Sequence, residues 1–201
     1  MHNEWTTRQG LMKKIALFMA SGRPSGYSSQ ATRIIKEIAS ACASQIELVQ
    51  INTYNTKVRH CSGCEICKDT GECVFNDDDM QKICKILEET DVAVISTPVY
   101  YSSAPGSLKA ILDRTQPYFY HPLKNEPDKK IFYLIQFGGS RPYPAQFETI
   151  PQQMLHMARN LNGYIVAELS FPATDQWDGT LPAQVSSQIE EFARTLLQEP
   201  V

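Results

Sequence analysis

The chain has 201 residues, 42% hydrophobic and 20% charged, with a formal net charge of −3. That length suits one α/β domain with a sizeable core. The near-neutral balance, with no block of lysine and arginine, argues against nucleic acid or an anionic membrane as partner. No apolar run approaches the ~20 residues that span a bilayer, and the opening MHNEWTTRQGLMKK lacks the parts of a signal peptide. Residues 1–12 are expected to be an extension and 13–201 a single domain with a cysteine-rich insertion at 55–76. The expected compartment is the cytoplasm, where thiols stay reduced and a tight run of cysteines points to metal or redox chemistry.

Lys14 to Ala20 is a short apolar run and the first predicted strand. A turn cluster, Ser21 to Gly26, leads into a helical pattern from Ser28 to Ala43, with Ala31, Ile34, Ile35 and Ile38 at spacings of three and four and Ser28 or Ser29 as N-cap. Ile46 to Ile51 reads as the second strand. After a polar loop, Asp77-Asp78-Asp79 opens a helix over about Met80 to Glu89, three acids that suit its positive N-terminal dipole. Val92 to Ile95 is a β-branched run of the kind buried on both faces of a sheet. Pro98 cannot donate to a ladder, so pairing is expected to stop there. One helix from about Pro105 to Tyr118, a strand at Ile131 to Phe137, a helix from Phe147 to Leu161, a strand at Tyr164 to Leu169 and a closing helix from Ala183 to Leu197 complete the chain. Strand and helix alternate throughout, which predicts a five-stranded parallel sheet with helices on both faces.

Three stretches carry chemistry. The loop Ser21 to Ser29 offers backbone N–H groups at a helix N-terminus, several hydroxyls and the Arg23 guanidinium, the parts that hold a phosphate. It is neither a dinucleotide fingerprint nor a P-loop, and a monophosphate such as that of FMN suits it; a plain turn is the alternative. The second stretch, Pro98 to Ser103, leaves the central strand where an open α/β sheet places its ligands. In the third, Cys61, Cys64, Cys67 and Cys73 are spaced C-x2-C-x2-C-x5-C. Four such thiolates can ligate a [4Fe–4S] cluster or a structural zinc, or can hold no metal at all. Cys42 and Cys84 fall in helical segments and read as buried, inert thiols.

Taken together, SGRPSGYSS, CSGCEICKDTGECVFNDDDM and STPVYYSSAPGSLKAILDR resemble the NAD(P)H-dependent FMN reductases of the flavodoxin-like superfamily, and within them the iron–sulfur flavoproteins. The resemblance spans about Lys13 to Arg114; beyond Lys130 it rests on element order and on Gly138-Gly139. It implies a flavodoxin-like three-layer sandwich with sheet order 2-1-3-4-5 and FMN at the switch point between the first and third strands. By position it implies that Ser21, Arg23, Ser28 and Ser29 hold the phosphate and that Pro98, Val99, Tyr100, Tyr101, Ser102 and Ser103 form a wall against the flavin ring. Gly138 and Gly139 would approach the ring from its other side. Tyr27-Ser28 departs from the family's usual Asn-Thr. Asp113 and Arg114, though in the motif, read as a structural helix pair.

The implied activity is transfer of electrons from NAD(P)H or a protein donor through FMN to a small acceptor or to a [4Fe–4S] cluster, in a homodimer or tetramer. The alternatives are a flavodoxin-like electron carrier without turnover, and a regulatory protein built on a zinc or redox cysteine site. The cysteine loop is expected on the flavin's side of the molecule, and Pro142 to Pro151 is a candidate lid.

Overall fold

The structure is a computed structural model, and it describes residues 12–41, 45–123 and 130–198. Five parallel strands, β1 (Lys13–Met19), β2 (Ile46–Asn52), β3 (Val92–Pro98), β4 (Lys130–Phe137) and β5 (Gly163–Phe171), form one sheet in the order β2-β1-β3-β4-β5. The order reverses between β1 and β3, so the chain leaves these two neighbouring strands in opposite directions and opens a crevice at their carboxyl ends. Residues 1–11, Cys42 and the end of the first predicted helix lie outside the described residues.

Side chains of period two send alternate residues to the two faces. Ile15, Leu17, Val92, Val94, Tyr133 and Ile135 pack under helices α1 (Tyr27–Ser40) and α7 (Ala183–Gln198). Ala16, Phe18, Ala93, Ile95, Phe132 and Leu134 pack under α3 (Met80–Glu89), α4 (Gly106–Arg114) and α6 (Thr149–Asn160). Both faces of β3 and β4 are covered, which is why those strands read as continuous apolar runs. A fully buried Ile or Leu here contributes about 1.5–3 kcal/mol. Among the described residues no helix is long and apolar enough to cross a membrane.

Four boundaries differ from the sequence expectations. Helix α1 begins at Tyr27 with extended Gly26 as its N-cap, so Ser28 and Ser29 lie buried inside its first turn. Strand β3 continues through Pro98, and Val99 N–H still bonds the Phe137 carbonyl at 2.8 Å. Residues of a parallel strand donate alternately to its two neighbours; the donor that Pro98 lacks falls on the side where β1 has already ended at Met19. The helix predicted over 105–118 is two, because Thr115 closes α4 by bonding the Leu112 carbonyl through both N–H and hydroxyl, and Pro117 starts α5 (Gln116–Tyr120). The cysteine loop also contains a short helix, α2 (Ile66–Thr70).

Candidate functional site

Two cavities take up the sequence-predicted residues, and they share no lining residue. The first, about 530 Å³, opens at the carboxyl ends of β1, β3 and β4, within the size range of cofactor pockets. Ser21, Arg23 and Ser28 line one side, Pro98, Val99, Tyr100 and Tyr101 another, and Gly139 a third. Ser29, Ser102, Ser103 and Gly138 stand outside the lining, and their contacts say why. Ser29 donates to the Arg23 carbonyl at 2.7 Å and, with Ser21 accepting from Arg23 N–H at 3.2 Å, fixes the shape of the loop. Ser96 of β3 donates to the Ser28 carbonyl at 3.0 Å, which pins the first turn of α1 to the central strand. Ser102 shares a hydrogen bond with the Tyr143 hydroxyl, 2.9 Å, and Ser103 accepts from Gln153.

The wall that follows β3 is a strained turn. Tyr100 and Ser103 exchange both backbone hydrogen bonds at 3.0 Å, while Tyr101 and Ser102 between them have φ of 49° and 56°. Asn and Gly ordinarily occupy such a turn; a tyrosine in the left-handed region is costly and is found where function requires it. Its ring is fully exposed, at 103%. Beside it Tyr54, from the loop after β2, meets Tyr100; burial and the neighbouring phenol push Tyr54 above its ordinary value.

The glycines after β4 are closely packed by other side chains. A Cβ at Gly139 would stand 2.6 Å from Asp175 Oδ1, and one at Gly138 would stand 2.4 Å from Gln146 Nε2. Asp175 and Gln146 occupy the space on the side where a Cβ would stand. Sequence reasoning missed Thr174 and Asp175, which line the cavity with Phe137 and Ser140, while Tyr143 and Gln146, also on its wall, fall in the stretch expected as a lid. The clue was positional, since Thr174 and Asp175 follow the end of β5 on the same sheet edge. Gln146 is buried and its Oε1 has no hydrogen-bond partner. Tyr27 also lines the cavity; Trp177, 4.8 Å away edge-on, does not, and supports it from behind.

The second cavity, about 230 Å³, is lined by Cys61, Cys64, Cys67 and Cys73 together with Phe75, Asp113, Arg114, Gln116, Pro117 and Tyr120. The loop bends back on itself through left-handed Gly63, Glu65 and Gly71, and His121 Nε2 bonds the Lys68 carbonyl at 2.9 Å to hold α2. Burial raises the Cys67 thiol, and the charges of Cys73, Cys61 and Cys64 add to the rise. The Cys64 thiol is lowered by the Ile66 N–H and the Ser62 side chain. The four thiols line one small cavity. Among the described residues no three His, Cys, Asp or Glu side chains already stand in ligating geometry. The position corrects the expectation that this loop accompanies the flavin: its cavity lies against the far end of α4. Nine residues of helix, ~13 Å, separate that end from the helix start near β3.

Arg114 is the other correction. It does not pair with Asp113, which bonds Lys109 instead. Its guanidinium, 1% exposed, bonds Asp78 at 2.8 Å and the carbonyls of Arg59 and Phe75 at 3.1 and 2.9 Å. Asp78 also accepts from the N–H groups of Arg59 and Met80; burial opposes its charge, but these bonds outweigh that and hold its carboxyl below the ordinary range. Asp78 therefore ties the cysteine loop to α4 while accepting from the first N–H of α3, and Asp79, the N-cap residue, makes no side-chain cap bond but accepts from Lys57 N–H at 2.6 Å.

A family profile described as NADPH-dependent FMN reductase matches residues 13–178. An iron–sulfur flavoprotein of Methanosarcina thermophila is 34% identical over 116 residues, 56% of this chain and 56% of the relative. One from Archaeoglobus fulgidus is 29% identical over 111 residues, 55% of this chain and 49% of the relative. The chain thus spans about half the length of these curated relatives. In three dimensions it is similar to an NAD(P)H:quinone oxidoreductase from Methanothermobacter marburgensis, with TM-score 0.71, 15% identity, and 95% and 98% of the two chains covered. An azoreductase from Bacillus anthracis superposes with TM-score 0.67 at 15% identity, covering 92% and 98%. At these identities the likeness is one of fold.

Proposed function

The chain belongs to the NADPH-dependent FMN reductase family, and from that premise we propose that it is a flavin-dependent oxidoreductase with FMN in the cavity between β1, β3 and β4. The observation that carries this reading is the cavity itself: a ligand-sized space at the switch point, lined by the Arg23 guanidinium and the start of α1. When bound, FMN supplies hydride acceptance and release of electrons singly or in pairs. Arg23 and the first-turn N–H groups of α1 hold the phosphate, with Ser21 and Ser29 shaping the loop from behind. Pro98, Val99, Tyr100 and Tyr101 orient the ring and keep water from one face. Gly138 serves the site by admitting Gln146, and Gly139 by admitting Asp175. Ser102 and Ser103 hold the turn that displays Tyr101.

Electrons enter from NADPH or NADH and leave to a small flat acceptor of the quinone or nitro type at the open mouth beside Tyr100, or to an iron–sulfur cluster on Cys61, Cys64, Cys67 and Cys73. The relatives' names and the four thiols around one cavity support the second route. The assembly expected from the family resemblance is a homodimer or tetramer.

The test is anaerobic purification followed by an absorption spectrum, iron and zinc analysis, and steady-state oxidation of NADPH and NADH with an artificial acceptor. A flavin spectrum and turnover with either nucleotide are expected. Flavin without turnover would leave an electron carrier; neither flavin nor iron after reconstitution would sink the reading.

A further inference from the structure

Beyond β5 the chain turns back along the carboxyl edge of the sheet and joins two sides of the first cavity. The N–H groups of Ala173, Thr174 and Asp175 bond the carbonyls of Ser140, Gly138 and Gly139 at 2.8, 3.0 and 3.0 Å. Trp177 then packs edge-on against Tyr27, with 4.8 Å between ring centres. Asp178 folds the next turn by accepting from the Thr180 N–H and hydroxyl at 2.9 and 2.6 Å. Gly179 takes φ 98°, a conformation that glycine adopts freely. This bend presents its backbone to α1. Gly179 N–H bonds the Tyr27 hydroxyl at 3.2 Å, and the Gly179 carbonyl accepts from Gln30 Nε2 at 2.8 Å. Gln30 Oε1 accepts from Leu181 N–H at 3.0 Å, while Nε2 also donates to the Ser25 carbonyl at 2.9 Å. One amide thus spends both donors and its acceptor joining the Ser21–Ser29 loop to a segment about 150 positions later. Gly179 and Leu181 lie just past residues 13–178, the stretch that the family profile matches.

Ser21 and Ser29 hold the loop from within, through the backbone of Arg23; Gln30 holds it from outside. No side chain caps the first-turn N–H groups of α1, which suit an anion beside a guanidinium. We propose that Gln30, helped by Tyr27, is the positioning residue of the phosphate end of the cavity: it braces the Ser21–Ser29 loop against the segment after β5 and so keeps it in the shape that takes a phosphate monoester. The inference rests on the reading that the phosphate of FMN lies at this end. A loop already held in its binding shape loses little freedom when the ligand arrives. Gln30, Gly179 and Leu181 do not line the cavity, so they act through the loop and not by contact. Thr174 and Asp175 keep their own bonds to the turn after β4, so loosening the brace leaves the other wall in place.

That separation gives the test its readout. The full-length wild type, Gln30→Met, Tyr27→Phe and the α1 surface variant Lys36→Met are prepared without flavin. Each is titrated with FMN and with riboflavin, which lacks the phosphate, and the Kd is read from fluorescence quenching. The wild type is expected to bind FMN more tightly than riboflavin. Gln30→Met should weaken FMN about tenfold and riboflavin less than about twofold. Tyr27→Phe keeps the ring against Trp177 and loses one hydrogen bond, so FMN should weaken about threefold with riboflavin again unchanged. Lys36→Met should move neither.

An FMN affinity untouched in Gln30→Met, or one that falls in step with riboflavin, overturns the proposal and leaves the flavin site standing. So does a selective loss of FMN in Lys36→Met, which has no part in the brace. If Gln30→Met does not fold, Tyr27→Phe decides alone, and equal effects on the two flavins refute the idea. A wild type that binds FMN and riboflavin alike removes the phosphate from this loop, and one that binds neither removes the flavin reading; each takes this inference with it.

Discussion

Replacing Tyr101 by glycine should make the ligand-free protein more stable and its flavin site worse. Tyr101 occupies the left-handed region at φ 49°, which costs an L-residue about 1–2 kcal/mol and glycine nothing. Glycine in turn has more freedom to lose on folding, about 0.5–1 kcal/mol. The ring makes no compensating contact in the described chain, being fully exposed. The difference predicts a gain of roughly 0.5–1 kcal/mol in the apo protein, read from urea unfolding. Loss of the ring removes one aromatic contact to the flavin, about 0.5–1.5 kcal/mol, so the Kd for FMN should rise between about 2- and 12-fold, read by fluorescence quenching. Ser102→Gly is the comparison. It relieves the strain at φ 56° without removing a ring but gives up the hydrogen bond to Tyr143, so its stability should rise less and its FMN affinity should fall less than in Tyr101→Gly. Apo stability that falls in both variants, or an FMN affinity untouched by loss of the ring, would refute the view that this strain is retained for the ligand.

Gln146→Met should also gain stability, for a different reason: it removes a buried acceptor without a partner, a group that costs about 1–3 kcal/mol when unsatisfied, so the urea midpoint of the apo protein should rise. Asp78→Asn should cost about 3–5 kcal/mol at neutral pH by leaving the buried Arg114 charge uncompensated. Because the Asp78 carboxyl sits below its ordinary 3.8 in the folded state, its contribution is complete above that pH and is lost as pH falls through the depressed folded value. Urea midpoints of the wild type and Asp78→Asn should therefore converge in acid; a constant gap down to strongly acidic pH would refute the pairing. Gly163→Ala would place a Cβ 2.6 Å from the Lys130 carbonyl oxygen and 2.7 Å from Phe132, so the edge strand β5 must shift. A loss of about 2 kcal/mol or more is expected, seen as a lower thermal midpoint.

The sheet was legible because its central strands are covered on both faces and spell out as apolar runs, and because strand and helix alternate without interruption. What local pattern could not supply was partnership across the chain. Asp113 and Arg114 are adjacent and opposite in charge, which suggests a pair, but adjacent residues on a helix point to different sides. Arg114 is turned inward, so its partner is Asp78, 36 positions away. The same holds for the glycines after β4: their sequence says only that a side chain is unwelcome, whereas Asp175 and Gln146, brought by two other elements, decide what occupies the space. Pro98 follows the same logic. Its missing donor is harmless because of where β1 stops, a fact of pairing and not of the residue. In each case the sequence names the exception, a buried charge, a glycine pair or a proline in a strand, and the fold supplies its reason. That is also how the cysteine loop became attached to the core: three acids that read as helix caps meet a cation from α4, and the four thiols are held at the mouth of that meeting.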